Sequence, residues 1–118
     1  MADAATTRAQ IEALNDTTFC EAYIKLILLI KERNPKVKIV CIIGDCVSGG
    51  IQKSIHKIAA HYDARAVDLL AVNGYNDQTY MPKHDYNPST GSGCHPSAKA
   101  MSFIANKIYT ELGAWLEE

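Results

Sequence analysis

Apolar residues recur at helical spacing early in the chain, where Phe19, Tyr23, Leu26, Ile27 and Ile30 share one face of a segment spanning about residues 18–33. Asp16 or Thr17 offers a side-chain cap at its start. Asn34-Pro35 ends it, because a residue before proline avoids the helical region. The pattern then changes: Val37-Lys38-Ile39-Val40-Cys41-Ile42-Ile43 is short, β-branched and bounded by Pro35 and Gly44, which predicts a strand buried on both faces. After a loop over 44–50, Ile51, Ile55, Ile58 and Ala59 restore the helical period as far as about Tyr62. Residues 66–72, Ala-Val-Asp-Leu-Leu-Ala-Val, read as a second strand. A strand, helix, strand order of this length is a βαβ unit, so the strands are expected to be parallel with a right-handed crossover.

From 73 to 94 glycine, proline, asparagine, serine and tyrosine dominate without periodicity, and a loop of that length is usually functional or partly disordered. A terminal helix over 97–112 carries Ala98, Met101, Ala105, Ile108 and Leu112 along one face. Residues 1–14, alanine-rich and weakly amphipathic, read as a loosely docked N-terminal arm. The fold class is α/β, in one domain covering 1–118. Two parallel strands make a poor sheet alone, since each leaves an open edge of backbone donors and acceptors. The shortage predicts either a partner subunit, such as a second copy in a homo-oligomer, or a larger α/β domain of which this chain is part.

Composition narrows the partners. The chain has 118 residues, 47% hydrophobic and 21% charged, which suits one globular domain with a modest core. Its 12 basic and 13 acidic residues are interspersed for a net charge of -1, so no footprint for nucleic acid is present. The apolar run over 24–30 is broken by Lys25 and is far short of the roughly 20 residues a membrane span needs, so no membrane anchoring is expected. No secretory signal is visible at Met1-Ala2-Asp3-Ala4-Ala5, which leaves the compartment open. Cys20, Cys41, Cys46 and Cys94 lack the spacing of a disulfide scaffold and read as mostly reduced and buried.

The chemistry concentrates at Gly91-Ser92-Gly93-Cys94-His95-Pro96-Ser97-Ala98. Pro96 suits a first helical position, which sets His95 at or beside the N-cap on a glycine loop. A histidine there is rigid and solvent-facing at once, as a general base must be. Asp85 or Asp77, from the same long loop, are candidates to orient it. Cys46, Cys94, His84 and His95 are possible metal ligands, although no Cys-x-x-Cys or His-x-x-x-His spacing supports a site. Cys94 is a candidate nucleophile, as a thiolate beside His95.

The His-Pro loop entering an amphipathic helix after a strand, helix, strand unit resembles the C-terminal block of the SGNH, or GDSL-like, hydrolase superfamily. The segments 30–43 and 58–69 are similar to those around that family's fourth and fifth strands, so the resemblance covers about residues 15–116. It implies a flavodoxin-like three-layer α/β/α domain, here partial, and hydrolysis of an acyl or acetyl ester on a lipid or sugar. No metal or organic cofactor is needed for that reaction. By this resemblance His95 is the base, Ser92 stands where the family has its aspartate, and Asn15 corresponds to the oxyanion asparagine although it is equally a helix cap. The family's Gly-Asp-Ser block has no counterpart ahead of Asn15. Gly44-Asp45-Cys46 with Ser48 offers an alternative nucleophile, but only some 50 residues then separate it from His95, too few for a complete domain of typical size. The chain is thus expected to supply the histidine of an esterase whose serine lies in a missing N-terminal half. The rival expectation is a non-catalytic α/β module that binds a partner through its open sheet edge.

Overall fold

The computed structural model describes residues 8–13, 18–44, 49–71, 78–79, 81–91 and 93–118. They form α1 (Arg8–Glu12), α2 (Phe19–Arg33), β1 (Val40–Ile43), α3 (Gly49–His61), β2 (Arg65–Asp68), a 3-10 turn (Leu69–Ala71) and α4 (Ala98–Leu116). β1 and β2 pair in a two-stranded parallel sheet with α3 between them in sequence. The chain is therefore mixed α/β.

Both strands are shorter than their apolar runs. Asn34 turns the chain after α2, accepting the Val37 N–H on its carbonyl at 3.0 Å and the Lys36 N–H on its side chain at 3.2 Å. That turn consumes 36–37, and β1 begins only at Val40. Asp68 Oδ1 accepts the Leu70 N–H at 3.1 Å, which starts the 3-10 turn and ends β2. The cap of α2 is Thr18, extended at φ -100 and ψ 147, whereas Asp16 and Thr17 lie outside the described residues.

The chain divides into two compact units, Met1–Cys41 with Val47–Ala66, and Ile42–Cys46 with Val67–Glu118. In the first, α2 packs against α1 and α3. Ile24, Ile27 and Leu28 of α2 are buried with Ile55, Ile58 and Ala59 of α3, each large aliphatic side chain contributing about 1.5–3 kcal/mol of apolar burial. In α1, Ile11 is buried, and Arg8 bridges Glu12 at 2.7 Å and Glu32 of α2 at 2.9 Å. Exposed pairs of that kind contribute little, so Ile11 is what anchors the turn. α3 ends with the Ala64 N–H on the Ala59 carbonyl at 2.9 Å and Asp63 in the left-handed region, φ 53. In the second unit Ile43, Val67, Leu69, Met81, Ala100, Ile104 and Leu112 are buried.

The buried faces differ from the expected ones. On α2, Leu26 is 57% exposed and Phe19 and Ile30 are also exposed. On α4, Met101 is 54% exposed and Ala105 is exposed, while the buried line runs through Ala100, Ile104, Leu112 and Gly113. β1 is not buried on both faces: Cys41 and Ile43 are buried but Ile42 is 48% exposed. Each of these elements carries more apolar residues than one covered face can hold. Which face is covered depends on the neighbours available, and a two-stranded sheet offers few.

Candidate active site

The loop before α4 is organised by a reversal. Asn87 accepts the N–H groups of Thr90 at 3.2 Å and Gly91 at 2.8 Å on its carbonyl, and its side chain accepts from Ser89 at 2.9 Å. Gly91 adopts φ +69, a conformation that costs glycine least. The chain then runs back antiparallel to itself around a bridge between Lys83 and Pro96. His84 N–H donates to the His95 carbonyl at 3.1 Å and Ser97 N–H to the Pro82 carbonyl at 2.8 Å.

This ribbon changes the setting of His95. Ser97 is the N-cap of α4, its side chain accepting the Ala100 N–H at 3.4 Å. Pro96 therefore precedes the cap instead of opening the helix, and His95 stands two residues before the cap. Its rigidity comes from the antiparallel bridge and not from the helix terminus.

Asp85 completes the arrangement. Its Oδ1 accepts the His95 N–H at 2.9 Å, and its Oδ2 accepts the Cys94 N–H at 3.0 Å and contacts His95 Nδ1 at 2.7 Å. The two backbone donors, then the imidazole, hold the Asp85 carboxyl well below the usual carboxylate range. At neutral pH it is ionised and can only accept, so Nδ1 carries the proton and Nε2 of the neutral ring is the free base. The His95 side chain is 69% exposed and that of Asp85 34%. The His84 ring stacks on His95 with centroids 5.6 Å apart and planes 26° apart. Gly93 makes room for the carboxylate, since a Cβ there would sit 2.9 Å from Asp85 Oδ1 and 3.1 Å from both Cα and N of Tyr86.

Of the residues singled out by sequence, His95 and Asp85 are brought together, while Ser92, Asn15, Ser48 and Asp77 lie outside the described residues. Cys94 is disulfide-bonded, which corrects the reduced reading and removes it as a thiolate nucleophile; Cys20 is an exposed free thiol and Cys41 a buried one, and Cys46 lies outside the described residues. Among the described residues no group of three or more His, Cys, Asp or Glu side chains could hold a metal ion, and no helix is long and apolar enough to cross a membrane. Two contributors escaped the sequence reading, namely Gly93 as the space for Asp85 and His84 as the stacking partner. The signal that relates them is Asn87-Pro88-Ser89-Thr90-Gly91, a turn sequence midway between Asp85 and His95.

Comparisons with protein-family models, with curated proteins and with solved structures find no match to this chain.

Proposed function

We propose that this chain is the C-terminal part of an SGNH-type serine ester hydrolase, in a flavodoxin-like α/β/α domain, and that it supplies the catalytic histidine. The observation that carries the reading is the 2.7 Å contact between His95 Nδ1 and Asp85 Oδ2 on an exposed, backbone-tethered loop. In the proposed reaction His95 Nε2 takes the proton of a serine hydroxyl as it attacks the ester carbonyl. The imidazolium, stabilised by Asp85, then protonates the departing alkoxide. Water hydrolyses the acyl-enzyme by the same proton path in reverse. The carboxylate that the family resemblance places at Ser92 is provided in this proposal by Asp85, from ten residues upstream.

The test is p-nitrophenyl acetate hydrolysis by a polypeptide joining this chain to a segment that bears the serine block. His95→Ala should lower kcat by about two to four orders of magnitude, the range of a general base. Undiminished turnover in that variant removes His95 as the base. A fluorophosphonate probe should leave the 118-residue chain itself unlabelled, and labelling at Ser48 would instead place the nucleophile within it.

A second reading is favoured by the sheet itself. With two strands among the described residues and Ile42 half exposed, a non-catalytic module that recruits a partner strand accounts for the same surface. Loss of partner binding on Ile42→Lys, with unchanged turnover on His95→Ala, distinguishes it.

A further inference from the structure

The first unit contains a cleft of about 490 Å³, within the roughly 300–1,000 Å³ typical of small-molecule sites. Its apolar lining comes from Ile11, Leu28 and Tyr62, all buried, and from the exposed Pro35, so most of the apolar surface is formed by fixed core side chains. Four polar residues complete the lining, and their charges are unevenly answered. Glu32 is bound by Arg8 at 2.9 Å, and Asp63 faces Arg65 at 3.7 Å. Lys31 lines the cleft from the last turn of α2, where a cation is favoured, and has no ion-pair or hydrogen-bond partner among the described residues. His61 contacts the Tyr62 ring and is otherwise open to solvent.

We propose that this cleft binds a small monoanion with an apolar body, a carboxylate on an aromatic or aliphatic frame. The head group pairs with the Lys31 ammonium, with His61 as a second donor, and the body lies on Ile11, Leu28 and Tyr62. A cationic ligand finds both carboxylates already matched by arginines. A neutral one leaves Lys31 unused. The proposal is independent of the role assigned to His95, whose residues the cleft does not include.

The experiment is an amide-shift titration of the full chain with three isosteric probes, 4-phenylbutyrate, 4-phenylbutanol and 4-phenylbutylammonium. 4-Phenylbutyrate should saturate one site, shift the amides of Ile11, Leu28 and Tyr62, and bind tightest of the three. Lys31→Met should weaken it about tenfold or more, the loss expected of one charge-assisted contact, and erase its advantage over the alcohol. Lys31→Arg should restore binding, and Lys53→Met, on the exposed side of α3, should leave it unchanged. Should Lys31→Met fail to fold, Lys31→Gln takes its place. Equal affinity for acid and alcohol, preference for the ammonium, shifts confined to other residues, or unaltered binding in the neutral Lys31 variants each overturn the proposal.

Discussion

Replacing Gly93 by alanine tests whether that glycine exists to admit the Asp85 carboxylate. The added Cβ would lie 2.9 Å from Asp85 Oδ1, where ordinary contact begins at 3.4 Å, and 3.1 Å from the Tyr86 Cα and N. Rotating the carboxylate relieves the first contact but sacrifices its bonds to Cys94, His95 and the imidazole. The Tyr86 contacts involve backbone and persist, so no single rotamer change resolves the crowding. Overpacking costs about 1–3 kcal/mol, and an exposed loop that can yield places this case near 1 kcal/mol, or a fall in Tm of about 4 °C. Calorimetry reads that shift, and long-range proton–nitrogen correlation of the imidazoles reads the tautomer. Wild-type His95 should show the Nδ1–H form, and Gly93→Ala should shift it toward the Nε2–H form that free imidazole prefers. In an Asp85→Ala background the same substitution should cost less, because one of the close contacts is gone. An unchanged Tm together with an unchanged tautomer in Gly93→Ala refutes the reasoning.

Three further outcomes follow from the same geometry. Because the Asp85 carboxyl is held low, it stabilises the folded chain above its unfolded value near 4, and that contribution fades as pH falls toward the folded value. Urea midpoints at pH 7 and pH 3 should therefore fall further for the wild type than for Asp85→Asn, and parallel losses contradict this. Ile27→Ala should cost about 2–5 kcal/mol and Leu26→Ala under about 0.5 kcal/mol in urea unfolding, since Ile27 is buried and its neighbour is exposed; the opposite ranking would mean that the other face of α2 is covered. Asp63→Gly should raise stability by about 1 kcal/mol, because Asp63 holds φ 53 at a helix C-terminus where glycine is unstrained and a negative charge is disfavoured; a lower midpoint would show that its side chain does more than face Arg65.

The element order was legible in the residues alone, because periodicity, β-branching and Pro or Gly punctuation act over a few positions. α2 between Thr18 and Asn34, α3 ending beside Tyr62 and the parallel βαβ pairing all follow from such local preferences. His95 stood out for the same reason, as a histidine between a glycine loop and a helix. What local preference does not contain is the choice among equivalent partners. Leu26 and Ile27 are equally apolar, and burial of one and exposure of the other depend on where α1 and α3 pack. Ser92, Asp77 and Asp85 were all available near His95 in sequence. Only the reversal at 87–91, and a glycine with room for a carboxylate, bring Asp85 to Nδ1. Sequence by itself determined the order and rough extent of the helices and strands, and which histidine stands on a glycine loop before a helix. Tertiary structure decided which faces are covered and which acid meets that histidine, because both depend on contacts made across the chain.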